Sequence, residues 1–511
     1  MSDSTQETAK KPEFNKLQQV LWPIHNYELK KFLPISLLMF CILFVYTMVR
    51  DLKDVFIQKY AICGSTELIP TLKLWFVMPA AFLVVMLFTY LINKFGGTKT
   101  FYIMVSIFIA FYTVFVLFLF PNASSIHAGA ETVRKMQASW PGFFFYIIPC
   151  LTNWSYTLFY IFSEIWGTIA ISSLFWQFAN QITKKTEAKR FYGLYALIGN
   201  IGVFASGSLL VSMSKAKGAE FDKNVRILVG CCILFAIATM VVYYYINAVI
   251  MKDPRFYDDS EVKVKKKKAK VGIMEGIKIL FSSPYIGLIA VLVVAYGVSI
   301  NFLEVVWKEQ MRVVLTNAND YSAMMGNLSK TTAILTICAT LLSTNVLRKC
   351  SWKVSAIVSP AIMLLLGGLF FLLIIYGKNG GTQFMGQSVA LMAIWVGLIA
   401  DAVIKSVKYC LFDSSKNLAY RPLDEDTKTK GQAAVEVIGG RAGKAGASTI
   451  NYILTNVVAV GSKISSHIYT IVPLFAVSVV GWIMAVSGLS KRYEAKLAEQ
   501  AEAEKVTQEA K

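Results

Sequence analysis

Two lysines and two carboxylates stand where the sequence is otherwise apolar: Lys53 in "MVRDLKDVF", Glu164 in "YIFSEIWG", Glu304 in "VSINFLEVVWK" and Lys444 in "VEVIGGRAGKAGAST". An ionised side chain within an apolar span costs on the order of 2.5–3.5 kcal/mol on insertion scales, so each asks for a partner, a cavity or a ligand. The four can pair and cancel. Alternatively, the lysines meet an anionic ligand while the carboxylates complete a gating or coupling network. One lysine and one carboxylate fall in each half of the chain, so the set spans an interface between halves and favours a polar cavity there.

The glycines at 439, 440, 443 and 446 make the stretch around Lys444 look like a phosphate-cradling loop. A nucleotide-hydrolysing loop needs G-x-x-x-x-G-K-S/T, with the last hydroxyl holding magnesium. Ile438 sits where the first glycine belongs and Ala445 replaces the hydroxyl, so the match fails at both ends. Close helix packing is the commoner use of such small residues. Arg441 and Lys444 lie three apart, so one helical face can carry both and bind a polyphosphate for passage, not cleavage. Further polar candidates are Asn200, Asp401, Lys405 and Lys408, with Asp401 and Lys405 at i,i+4 spacing. Trp166, Trp307 and Tyr296 offer faces for stacking a base, although aromatics near spans more often pack or anchor.

Metal chemistry finds no support. His25, His127 and His467 lie far apart with no HExxH, and the 8 cysteines show no CxxC spacing, so they read as structural thiols. No metal and no cofactor are expected.

The elements that must position these residues are membrane helices. Hydrophobic residues make up 56% of the 511 and charged residues 16%, with a mean hydropathy of +0.54, too apolar for a soluble globule. Apolar runs of about 20 residues, long enough to cross a bilayer, recur along the chain. The first six are placed at Phe32–Val49, Leu74–Ile92, Phe101–Phe120, Phe143–Ala179 (one long tilted helix), Phe191–Met213 and Ile227–Ile250. The second six are placed near Pro284–Trp307, Leu328–Leu347, Val354–Tyr376, Ser388–Phe412, Ala433–Val460 and His467–Leu489. The expected architecture is an all-α integral membrane protein of about twelve transmembrane helices in two six-helix halves, major-facilitator-like. Its divisions are an N-terminal segment 1–31, a bundle 32–250, a basic linker 251–281, a second bundle 282–490 and a tail 491–511.

A short internal echo supports duplication: "LFWQFAN" opens at Leu174 and "LFDSSKN" at Leu411, after which Gly199 falls on Gly439. The connections on the side holding both termini and the linker carry about 32 Lys and Arg against about 14 opposite, which predicts cytoplasmic termini. The net charge of +20 then reads as topology plus attraction to anionic lipid, not as nucleic-acid binding. The first 26 residues lack an apolar core, so no cleaved signal peptide is expected.

Long strings across nearly the whole chain, among them "WPIHNYELKKFLP", "SEIWGTIAISSLFWQFANQITKKTEAKRFY", "AYGVSINFLEVVWK" and "KYCLFDSSKNLAYRPLDEDTKTKGQAAVEVIGGRAGKAG", resemble the nucleotide transporters, or ATP/ADP translocases, of obligate intracellular bacteria and plastids. In that family a Lys after helix one, a Glu in the E-I-W-G stretch, a Glu in the N-F-L-E stretch and a Lys in the G-K-x-G stretch are important for transport. They fall on Lys53, Glu164, Glu304 and Lys444. The resemblance implies import of ATP in exchange for ADP across a bacterial inner membrane by alternating access, without hydrolysis, by a monomer whose partners are nucleotides and the lipid bilayer. "DVFIQKY" after Lys53 and "GKAG" around Lys444 depart from the usual pattern and bear on base preference. The alternatives are exchange or proton-coupled net import of GTP, UTP or CTP and, more remotely, a polytopic membrane transferase. The three-repeat signature of mitochondrial carriers is absent.

Overall fold

A computed structural model describes residues 22–253, 256, 278–280 and 282–509. Most of the basic linker, and the segment 1–21, lie outside the described residues.

Nine helical stretches among the described residues are long and apolar enough to cross a membrane. One of them, Leu68–Leu119, is two spans: Gly96 takes φ 75°, a conformation glycine reaches without steric cost, and the chain folds over there. Two further helices complete the set although their composition is less apolar. The helices are α1 (Asn26–Tyr60), α2 (68–95), α3 (97–119), α4 (Trp154–Ile182), α5 (Arg190–Lys215) and α6 (Phe221–Ile250) in the first half. The second half holds α7 (Pro284–Val314), α8 (Ala318–Lys349), α9 (Trp352–Lys378), α10 (Val389–Ala419), α11 (425–458) and α12 (Ile464–Gln500). The fold is the major-facilitator-like arrangement expected from the apolar runs. A two-residue hairpin, Gln383–Phe384 against Gln387–Ser388, is a small addition between α9 and α10.

Two expected elements differ. The run 143–179 is not one helix. Asn153 leaves helical geometry at φ −100°, ψ 46°, and its amide clasps the α1–α2 connection, accepting from Ile62 N at 2.7 Å and donating to Ile62 O at 2.9 Å. A short helix, Ile147–Thr152, therefore precedes α4. Helix α1 also runs on well past Val49 to Tyr60, so Lys53 lies inside it, not after it.

Small residues set how closely the helices approach. A Cβ on Gly202 of α5 would lie 2.5 Å from the Phe40 carbonyl of α1. In the second half, a Cβ on Gly443 of α11 would lie 2.7 Å from the Val294 carbonyl of α7. The two halves thus repeat one crossing, α1 on α5 and α7 on α11. Between the halves, Gly207 of α5 meets Gly326 of α8 in the same way, at 2.7 Å to its carbonyl. Replacing Gly443 by valine is expected to cost about 1–3 kcal/mol through forced separation of α7 and α11. A lower melting temperature of the detergent-solubilised protein would register it; an unchanged melt would contradict the crossing.

The halves are bolted together at the end remote from the termini. Lys59, at the end of α1, donates to the carbonyls of Arg312 (2.9 Å) and Leu315 (2.5 Å) at the end of α7. Arg312 returns the contact, donating to the carbonyls of Gln58 (3.3 Å) and Gly64 of the first half. Each first helix has its C-terminal carbonyls satisfied by a cation from the other half, which both fills orphan acceptors and suits the helix dipole. Glu67 adds a third link, accepting from Ile464 N at 2.9 Å.

Candidate functional site

Between the halves lies a cavity of ≈ 320 Å³, within the range of about 300–1,000 Å³ usual for small-molecule sites. It is walled by α1, α2 and α4 of the first half and by α7, α8, α10 and α11 of the second. Its charge is lopsided. Arg50, Lys53 and Lys73 enter from the first half and Lys308, Lys405, Lys408, Arg441 and Lys444 from the second, against three lining carboxylates, Asp54, Glu164 and Glu304.

Several of these cations are already partnered. Lys53 Nζ lies 3.1 Å from Glu164 Oε1 and 3.1 Å from Asp54 Oδ1, with its ammonium 3.8 Å from the centroid of the Tyr160 ring. Asp54 Oδ2 lies 2.9 Å from Lys308 Nζ, so one carboxylate of α1 ties its own half to α7. Lys53 and Asp54 are 2% and 1% exposed, which removes water as an alternative partner and makes these pairs obligatory. On the opposite wall Lys405 Nζ is 2.7 Å from Glu304 Oε1 and 2.9 Å from Asp401 Oδ2. Arg50 is held by Asp51 at 3.2 Å and donates to Ser329 of α8 at 2.9 Å. Lys408 sits 2.9 Å from Asp413 Oδ2.

Three cations differ. Lys73 donates to a neutral acceptor, Asn301 Oδ1, at 2.8 Å. Arg441 and Lys444 have no carboxylate within ion-pair distance among the described residues, and Lys444 is exposed to the cavity. Lys73 belongs to α2 and the other two to α11, so unneutralised positive charge faces itself across the interface. The geometry suits a polyanion that enters the cavity and is surrendered intact: there are donors at both walls, and no nucleophile–base pair is needed.

Wide turns with i→i+5 hydrogen bonding adjoin the site in five helices, over Phe56–Tyr60 in α1, Leu72–Val77 in α2, Gly167–Phe175 in α4, Lys408–Phe412 in α10 and Val435–Gly439 in α11. Such turns rotate the residues beyond them relative to a regular helix and gather at functional sites. Those in α4, α10 and α11 flank Glu164, Lys408 and Arg441.

Of the residues singled out from sequence, Lys53, Glu164, Glu304, Lys408, Arg441 and Lys444 all line this cavity. Asp401 stands behind it, wholly buried and paired with Lys405. Asn200 is elsewhere: its amide is spent on the Ala196 carbonyl of α5 at 2.8 Å, so it is not among the cavity residues. Trp166 and Trp307 are fully buried, their indole N–H groups donating to the carbonyls of Ile42 (3.2 Å) and Ile394 (2.9 Å); they pack helices. Tyr296 does line the cavity, with one flank against Phe412 at 5.5 Å between centroids. Sequence reasoning passed over Arg50, Asp54, Lys73 and Lys308. The signal was present as helical spacing, Arg50 to Asp54 and Glu304 to Lys308 at i,i+4, and as a lysine in the apolar "TLKLWF".

Comparisons with known proteins agree with this picture. The family model described as TLC ATP/ADP transporter matches residues 7–493. ADP,ATP carrier protein 1 of Chlamydia muridarum (strain MoPn / Nigg) is 38% identical over 502 residues, covering 95% of this chain and 93% of the relative. ADP,ATP carrier protein 1 of Rickettsia prowazekii (strain Madrid E) is 36% identical over 485 residues, 94% of this chain and 96% of the relative. Among solved structures, a bacterial homologue of the iron transporter ferroportin in an inward-facing state superposes with a TM-score of 0.58 at 10% identity, over 91% of this chain and 100% of that one. A D-xylose–proton symporter gives 0.55 at 10% identity, over 91% and 97%. At that identity the two structures speak to the fold alone.

Proposed function

We propose a transport cycle that starts from one premise: this chain belongs to the TLC ATP/ADP transporter family. Its activity is exchange of ATP for ADP across the membrane by alternating access, with both nucleotides as cargo and neither hydrolysed. The observation that carries this reading is the cavity at the interface of the halves, with eight cations against three carboxylates on its walls. A phosphate tail of three to four negative charges cannot cross an apolar barrier bare. Lys73, Arg441 and Lys444 meet it first, because no carboxylate competes for them.

The same three residues account for strict exchange. With the cavity empty, closing it brings Lys73 of α2 toward Arg441 and Lys444 of α11, and like charges in a low-dielectric cleft repel at several kcal/mol. A polyphosphate between them reverses the sign. Reorientation is thus favoured when cargo is bound and opposed when it is not, which is a difference in the free energy of the two states and not merely in their occupancy. Asp54 and Lys308 at the floor keep α1 and α7 in register meanwhile. The presence of a cavity walled from both halves of one chain supports the monomer as the unit of transport. The distribution of Lys and Arg in the connections supports a bacterial inner-membrane location with both termini cytoplasmic. The cavity then faces the cytoplasm, opposite the Lys59–Arg312 closure.

Proteoliposomes loaded with ADP are expected to take up labelled ATP at a rate that empty vesicles do not approach. Equal uptake by both would reject exchange. Collapse of a proton gradient is expected to leave exchange running, because Glu164 and Glu304 are each engaged by a lysine, at 3.1 and 2.7 Å. Asn200→Leu is expected to retain uptake within roughly twofold, since ordinary helix-surface changes cost little; a tenfold loss would return Asn200 to the site.

A further inference from the structure

A nucleotide has two chemically different ends, and the cavity has two kinds of wall. The cations without a carboxylate partner among the described residues lie on α2 and α11. On α1, α8 and α10 the lining cations are paired with carboxylates, and beside them lie aromatic and apolar groups: Tyr46 one turn before Arg50, Met325 and Leu328 beside Ser329, and Tyr409. Among the described residues neither Tyr46 nor Tyr409 packs its ring against another ring. The third cavity tyrosine, Tyr296, has Phe412 stacked on it and Trp482 edge-on at 5.9 Å, so its faces are largely used.

Tyr46 and Tyr409 are each accompanied by a cation. The Arg50 guanidinium carbon lies 5.4 Å from the Tyr46 centroid, and Lys408 Nζ lies 4.6 Å from that of Tyr409. The position of Tyr46 is enforced from behind: a Cβ on Gly167 of α4 would come within 2.5 Å of its ring, so only glycine lets the ring lie back into that wall. Gly167 is three residues from Glu164, at the start of the wide turn of α4, which couples placement of the ring to placement of the carboxylate. Flat π-faces and a guanidinium plane, flanked by a thioether and a leucine, form a surface suited to a planar heteroaromatic group.

We propose that Tyr46, Tyr409 and Arg50 form the nucleobase subsite, so that bound nucleotide lies with its base on the α1–α8–α10 wall and its phosphates toward Lys73, Arg441 and Lys444. This assignment rests on the nucleotide-exchange reading above. Stacking reads the plane of the base, while the phosphate count is read at the opposite wall. The two ends of the ligand therefore respond to different residues.

The test uses the full chain in ADP-loaded proteoliposomes and two probes, labelled ATP and unlabelled inorganic tripolyphosphate as a base-free competitor. Tyr46→Ala combined with Tyr409→Ala is expected to raise KM for ATP by about tenfold, the scale of one to two lost base–aromatic stacks. The inhibition constant of tripolyphosphate is expected to stay within twofold, which also reports that the variant is folded. Phenylalanine at both positions is expected to restore the wild-type KM. An unchanged KM in the alanine variant overturns the subsite, as does a parallel loss of tripolyphosphate inhibition. Failure of tripolyphosphate to inhibit the wild-type protein overturns the division into two ends. If the wild-type protein exchanges no nucleotide, the functional reading itself fails, whatever the tyrosines do.

Discussion

Glutamine at both Lys73 and Lys444 is expected to lower kcat/KM for ATP uptake about 100- to 10,000-fold, with the folded protein still recovered in normal yield. Each lysine contributes a charge-assisted contact to phosphate worth about 1.5–3 kcal/mol, and tenfold in rate corresponds to about 1.4 kcal/mol. Neither lysine is committed to a carboxylate, so removing its charge strands no buried anion. Lys53 makes the informative contrast. It neutralises Asp54 and Glu164 from a position with almost no water, so Lys53→Gln is expected to act mainly through loss of folded protein. Initial-rate kinetics beside a melting curve separates the two patterns. Wild-type kinetics in the Lys73 and Lys444 double variant would remove the phosphate end of the site.

The second large effect concerns Asp54. Asp54→Asn leaves Lys53 and Lys308 buried on either side of a neutral group, and breaking a buried pair by removing one partner costs about 3–5 kcal/mol. Part of that cost is recoverable. With Lys308→Met added, the stranded ammonium is gone and Lys53 keeps Glu164, so the double variant is expected to be more stable than Asp54→Asn alone by about 2 kcal/mol or more. A double-mutant cycle on the melting equilibrium measures it. Additive losses would mean that the 2.9 Å bridge between α1 and α7 contributes nothing to holding the halves together.

The helical architecture was legible because apolar length is a strong signal, and the charges at Lys53, Glu164, Glu304 and Lys444 were legible because each interrupts an apolar run. What the sequence hid has identifiable physical causes. Ending the first helix at Val49 placed Asp51 and Asp54 in a connection, although they turn back into the protein one helical turn further along α1. A carboxylate that lies among charges is inconspicuous in a hydropathy profile, yet Asp54 ties α1 to α7. Lys73 lies just outside the apolar stretch placed at Leu74–Ile92, so it did not register as a charge within a span. The break at Asn153 follows from its side chain being used to clasp residue 62, a tertiary demand that no local pattern records. Asn200 lies outside the cavity for the opposite reason: a polar residue within a span need not face a cavity when the carbonyl one turn back in its own helix can accept a second hydrogen bond.

The fastening at the end remote from the termini has an unobvious property. Lys59 and Arg312 grip main-chain carbonyls, not carboxylates, and carbonyls carry no proton to gain as the surroundings acidify. Those two clasps are accordingly indifferent to sourness on their side of the membrane. The clasps themselves ask nothing of the acceptors' side chains, because every residue brings a carbonyl. Position 64 is nonetheless held to glycine by its own loop, where a Cβ would lie 2.5 Å from the Ile57 carbonyl.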